Sequence, residues 1–191
     1  MKRTILLLAS LLACAFQALA QNTLDGTWTY TKTDKQDINE QEASGSAKMK
    51  LSAIYVFSGG TFSTSMKAEV NMDFASLGSQ GEATDAVFYV EVTASVKGSM
   101  AMDGSLLTLT PDAKKKPDIE VLTDIKGVPG GNLMKPMLVN PLKKELSAEL
   151  KKAQKYKVVS INETTLVLED ILSDKELKAG KRAERTTLTR K

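Results

Sequence analysis

The chain has 191 residues, with 26 basic and 23 acidic side chains, no histidine and one cysteine. Phosphate binding relies on an excess of lysine and arginine on one surface, so this near-balance argues against nucleic acid as a partner. The missing histidine removes the commonest general base and metal ligand, and the length suits a single domain.

Lys2 and Arg3 are followed by an apolar run from Ile5 to Phe16 and then by Ala18-Leu19-Ala20. Charge, apolar run and small residues in that order mark residues 1–20 as a secretory signal peptide, with cleavage expected before Gln21. A second processing route uses Leu11-Leu12-Ala13-Cys14 as a lipoprotein box, with a lipid anchor at Cys14. The first route is preferred, because Leu12 fits such a box poorly and Cys14 comes early. About 12 apolar residues fall short of the ~30 Å hydrocarbon core, so no transmembrane span is expected. The mature domain, residues 21–191, would carry 24 basic and 23 acidic side chains and no cysteine. Its core must then hold without a disulfide in the periplasm or outside the cell.

Residues 26–32 read as the first strand, with Gly26 and the only tryptophan, Trp28, near its start. From Phe62 to Phe74 the even positions are apolar at six of seven places (the exception is Thr64), whereas the odd positions between them are all polar. Period-two alternation of this kind marks a strand with one face buried. At about 3.3 Å per residue such a strand exceeds 40 Å, so it must curl as barrel strands do or project as a ribbon. Ala86, Phe88, Val90, Val92, Ala94 and Val96 repeat the pattern after the loop-like residues 75–84.

Two turns test whether the faces agree. Gly59-Gly60 as a two-residue hairpin loop pairs Phe57 with Phe62, Tyr55 with Thr64, Ala53 with Met66 and Leu51 with Ala68. Asp103-Gly104, read the same way, pairs Met102 with Ser105 and Met100 with Leu107, and sets Leu109 opposite Gly98. Apolar faces coincide in both hairpins, and a one-residue slip would send half of the apolar set into water.

Residues 111–141 contain all five prolines and read mostly as loop, with a short strand from Asp118 to Asp124. Lys114-Lys115-Lys116 is taken as a solvated part of that loop. Asn140 then caps a helix from Pro141 to Gln154, with Leu142, Leu146, Leu150 and Ala153 as its apolar stripe. Strands follow at Lys155–Ile161, where a bulge would reconcile Tyr156 and Val158 with Val159 and Ile161, and at Thr164–Glu169. The last strand, Glu184–Arg190, puts Thr186, Leu188 and Arg190 on one face. The fold class is therefore mainly β, an antiparallel up-and-down barrel of eight or nine strands with one mid-chain α-helix.

Gly26-x-Trp28, Tyr55-x-Phe57 with Gly60-Thr61-Phe62, Gly98-x-Met100-x-Met102-x-Gly104 with Leu107-Thr108-Leu109, and the ending Thr187-Leu188-Thr189-Arg190 follow one another in an order that resembles the small lipocalin-like barrel domains of exported bacterial proteins. The resemblance implies that Trp28 closes one end of the barrel beneath a basic residue of a late strand, here Arg190 or less favourably Arg185, with Gly26 beside them. An arginine over an indole face gains about 0.5 to 2 kcal/mol. The proline-rich insertion and the mid-chain helix depart from the family pattern.

The candidate binding surface is the inward face: Tyr55, Phe57, Met66, Val70, Met72, Phe88, Val90, Val92, Met100 and Leu107, with small Ala53, Ala68 and Ala94 leaving room. These side chains either line a cavity for a small hydrophobic ligand or simply fill the barrel. The helix is placed over the mouth, with Val128–Asn132 as its hinge. Two function classes stand: an exported carrier of a lipid-like or aromatic ligand, or a surface-associated protein- or glycan-interaction domain with a solid core. Glu69, Asp73 and Glu91 fall on the solvent phase of their strands, and Glu169, Asp170, Asp174 and Glu176 flank a turn. No nucleophile elbow or phosphate-cradling loop accompanies them. Neither catalysis nor a cofactor or metal is expected.

Overall fold

A computed structural model describes residues 24–40, 43–77, 85–173, 177–178 and 180–191. The leader, its cleavage point before Gln21, Cys14, and the turn carboxylates Asp174 and Glu176 lie outside these residues. The strands are β1 (Gly26–Glu40), β2 (Ala43–Ser58), β3 (Thr61–Leu77), β4 (Ala86–Asp103), β5 (Leu106–Pro111), β6 (Asp118–Lys126), β7 (Gln154–Ile161), β8 (Thr165–Asp170) and β9 (Arg185–Arg190), and α1 (Gly131–Glu149) falls between β6 and β7. Every pairing is antiparallel. The order β3-β2-β1-β9-β8-β7-β5-β4 closes on itself through β3 and β4, giving an eight-stranded barrel with β6 as an additional strand.

The strands differ greatly in length. β1 to β4 run 15, 16, 17 and 18 residues, whereas β5, β7, β8 and β9 run six to eight. At about 3.3 Å per residue, the long wall rises roughly 30 Å above the short one. β9 meets β1 only at Trp28 and Thr29, so closure is confined to the lower part. Above it, β1, β2, β3 and β4 continue as a four-stranded arm. β5 occupies the edge of β4 from Gly98 to Asp103, and β6 takes the same edge from Val87 to Ser95. Residues 112–117 loop out between them. At this junction Gly98 has no room for a side chain, since a Cβ there would lie 2.0 Å from the Thr110 carbonyl oxygen and 2.8 Å from the Phe62 ring.

The Gly59-Gly60 register is the one expected, with Phe57 opposite Phe62 and Leu51 opposite Ala68. Both glycines have positive φ, 53° and 80°, as a type I′ loop requires. The next hairpin corrects the expectation. Asp103 pairs with Leu106, Met102 with Leu107, Met100 with Leu109 and Gly98 with Pro111, so the loop is Gly104-Ser105. Only Gly104 of the two has positive φ, which fits a Gly-x loop of type II′. The slip is two residues, an even number, and therefore leaves every side chain on its expected face. In β7 the register shifts between Val158 and Ser160, so Val159 bulges out and both phases are accommodated.

The helix also needs correction. It starts at Gly131 and ends at Glu149, so Asn140 and Pro141 lie in its interior, Ala153 is beyond its end, and residues 131–141 are not loop. Pro136 and Pro141 lie inside the helix and leave the carbonyls four residues earlier, at Asn132 and Met137, without an amide partner. Both of those residues are exposed, so water can satisfy the carbonyls. Gly130, with φ 72°, turns the chain into the helix. Gly131 fits under Ile125, where a Cβ would come within 2.8 Å of the Ile125 side chain.

The outer face of the arm carries an ion-pair ladder. Lys67 Nζ lies 3.1 Å from Glu69 and 3.2 Å from Glu91, and the Tyr89 hydroxyl donates to Glu91 at 2.7 Å. The Tyr89 hydroxyl first, and then Lys67, hold the Glu91 carboxyl below its usual 4.5; Arg185, at 2.6 Å, does the same for Glu169. A carboxyl depressed in the folded state adds stability above its unfolded value, and that contribution disappears as pH falls through the folded value. Below pH 4.5, the urea midpoint of the native protein is expected to fall more steeply than that of Glu91→Gln. Parallel decline of the two would show that the ladder contributes nothing.

Candidate functional site

One end of the barrel is sealed by Trp28, which is fully buried. Its register partner across β1 and β9 is Arg190, whose guanidinium carbon lies 4.5 Å from the indole centroid. The indole Nε1 donates to the Leu24 carbonyl at 2.8 Å, which ties the segment before β1 beneath the barrel. Gly26, at φ 137°, adopts a conformation that disfavours any side chain, and a Cβ there would sit 3.7 Å from the Arg190 guanidinium.

Above this plug the barrel is packed. Leu24, Trp28, Phe57, Phe62, Met100, Leu107, Leu109, Leu166, Leu168 and Leu188 form one buried cluster, each at most 5 % exposed. Phe57, Met100 and Leu107, expected as cavity lining, are therefore core side chains. Tyr55 packs on the cluster from above, with its ring centroid 6.1 Å from that of Phe57. Tyr156 joins it there and donates its hydroxyl to Gln154 at 3.0 Å. Burial, and then Asp170 and Tyr30, push the Tyr55 hydroxyl above its ordinary range. Tyr156 is raised further, by burial and then by Tyr55 and Asp170. Both phenols remain neutral and form a polar floor between the core and the arm.

The remaining expected residues lie along the inner face of the arm. Met66 is paired between Ala53 and Ala94, Val70 between Met49 and Val90, and Val92 between Ala68 and Val121. Met66 borders a polar-rimmed groove of about 420 Å³ with Lys67, Asp118 and Glu120, whereas Met72, Phe88 and Val90 reach an apolar cavity. The latter three line a crevice of about 390 Å³ together with Phe74, Thr123, Met134, Leu138 and Leu142. Phe74 meets Phe88 edge-on, with centroids 5.4 Å apart and planes at 79°.

Helical spacing explains how α1 makes the far wall. Gly131, Lys135, Val139, Leu142 and Leu146, with Leu150 just past the helix end, recur at three- and four-residue intervals and are among the more buried residues of this segment. Met134 and Leu138 sit a quarter-turn away, over the crevice. Sequence reasoning missed these two because Pro136 and Pro141 obscured the helical period. Phe74, Thr123 and Leu142 already lay on expected apolar faces or in the expected short strand.

No ionisable side chain lines the crevice, and among the described residues no group of three or more Cys, Asp or Glu is arranged to hold a metal ion. No helix of the described residues is long and apolar enough to cross a membrane. No protein-family model and no curated protein matches this chain.

The two regions should respond differently to truncation. Leu107→Ala, in the sealed core, is expected to cost about 2 to 5 kcal/mol in urea unfolding, because the packed cluster cannot collapse around the missing atoms. Leu138→Ala, which faces a crevice that is already open, should cost less than about 1 kcal/mol. Equal losses at the two sites would mean that the crevice is as tightly packed as the core.

Proposed function

We propose that this protein is an exported lipocalin-like carrier of a small hydrophobic ligand, held in the crevice beneath α1 rather than in the barrel interior. The observation that supports the reading is the crevice itself: about 390 Å³ of space bounded by seven apolar side chains and the single hydroxyl-bearing Thr123. That size lies within the range of small-molecule pockets. A charged ligand would lose its hydration there without gaining a partner, whereas a lipid-like or aromatic group would exchange water for hydrocarbon.

Met72 and Met134 give two walls an unbranched, adaptable surface, and Phe74 and Phe88 give another a flat one. Catalysis is not part of the proposal. The lipocalin-like assignment draws on the closed eight-stranded meander and on the first-strand tryptophan capped by the last-strand arginine. Export draws on residues 1–20, with a lipid anchor at Cys14 as the alternative route. The packed barrel favours the second reading, a surface-associated protein- or glycan-interaction domain, in the event that the crevice takes no ligand.

Displacement of a fluorescent fatty acid by added lipid, together with organic extraction of the purified protein, decides between them. The carrier reading predicts saturable probe binding that falls roughly tenfold or more, at least about 1.4 kcal/mol, when Leu138→Trp fills the crevice. An empty extract and no saturable binding would leave the interaction-domain reading.

A further inference from the structure

The outer side of α1 carries apolar residues that are largely exposed. Leu133 is 81 % exposed and Met137 75 %, and they lie four residues apart on the row opposite the one packed on β6. Met134 and Leu138 sit between that row and the crevice. The apolar surface is therefore continuous from the crevice lining around to the outside of the helix.

This surface sits within the most basic part of the chain. From Lys126 to Lys157 there are eight lysines and two glutamates, a net +6, while the rest of the chain carries 18 basic and 21 acidic residues. Some of that charge is used locally. Asp124 lies 3.4 Å from Lys126 and 4.0 Å from Lys135, and Glu149 lies 2.6 Å from Lys152. Even with Asp124 counted, the segment keeps a net +5. Lys144 continues the outer row of Leu133 and Met137 at the helical seven-residue spacing, and Lys151 follows in the turn just past the end of the helix.

We infer that the outer face of α1 is a docking surface for an anionic lipid bilayer, with Leu133 and Met137 entering the interface and the surrounding lysines meeting lipid phosphates. Exposed apolar residues within a lysine-rich helical segment are the composition of interfacial helices, and each lysine near an anionic surface adds to the attraction. A second copy of the chain is the poorer occupant. A two-fold contact through this face would bring two segments of net +6 together. Docked in this way, the crevice would open toward the acyl chains along an unbroken apolar path. The bilayer contact itself stands whether or not the crevice holds a ligand.

Co-sedimentation of the purified protein with phosphatidylcholine vesicles, with and without phosphatidylglycerol, tests the inference. Binding is expected to the anionic vesicles and to weaken at high salt. It should fall roughly tenfold in Leu133→Ser/Met137→Ser and in Lys144→Glu/Lys151→Glu. Leu122→Ser, an exposed apolar change on the outer face of β6, should leave it unaltered. Leu138→Trp should bind vesicles normally while losing the fatty-acid probe, so this inference and the carrier reading fail separately. Absence of binding to either vesicle, or equal binding by all variants, would overturn the inference. So would a dimer in sedimentation velocity that dissociates in Leu133→Ser/Met137→Ser, which would assign the row to a second copy.

Discussion

Four strands of six to eight residues cannot cover the inner faces of four strands that run 15 to 18. Most of the architecture answers that mismatch. The barrel closes where both sets are present, and there the side chains meet in a sealed core. Higher up, β4 would have an unpaired edge and an apolar face with nothing opposite. β6 takes the edge from Val87 to Ser95, and α1, lying on β6, takes part of the face. Burying apolar surface contributes about 25 cal/mol per Å², so a helix with Gly131, Val139, Leu142 and Leu146 on one row is drawn onto the arm. It cannot reach all of it. The crevice beside Met72, Phe74 and Phe88 is what the helix leaves uncovered.

The same mismatch separates two kinds of environment. Below the tyrosine floor, Trp28 and nine other side chains pack among themselves, and the Trp28–Arg190 contact closes the end. Side chains buried to this degree fill the barrel interior, as they do in small barrels. Above the floor Ala86, Ala94, Val121 and Ile125 are buried, but Val70, Met72, Phe74, Phe88 and Val90 are only partly covered, and the helix beside them enters through Gly127, Pro129 and Gly130, a short connection with two positive-φ glycines. Conformational adjustment to a ligand is cheaper in such a region than in the core. The sealed core and the open crevice thereby lie toward opposite ends of one set of strands.

Much of this was legible from residue order, and the exceptions have physical causes. The alternation from Phe62 to Phe74 and the Gly59-Gly60 turn specify the face and register of β2 and β3, since a one-residue slip would expose the apolar set. In the second hairpin a two-residue slip leaves every face intact, so alternation alone could not separate Asp103-Gly104 from Gly104-Ser105. The helix was read short because Pro136 and Pro141 normally argue against a helical interior, and the exposure of Asn132 and Met137, whose carbonyls lose their amide partners, cannot be read from residue order. The inward face was legible, but its division into a core part (Phe57, Met100, Leu107) and a crevice part (Met72, Phe88, Val90) was not. That division depends on where β5, β7, β8 and β9 stop, and alternation within the long strands contains no information about the length of their neighbours.

The central claim, a sealed barrel with its ligand outside it beneath α1, is tested most directly by methionine-methyl NMR during titration with a fatty acid. Met72 and Met134 line the crevice, whereas Met100 lies in the core. The account predicts saturable shifts of the Met72 and Met134 methyl resonances with Met100 unmoved. Shifts at Met100 while Met72 and Met134 stay in place would show that the ligand enters the barrel and would contradict it.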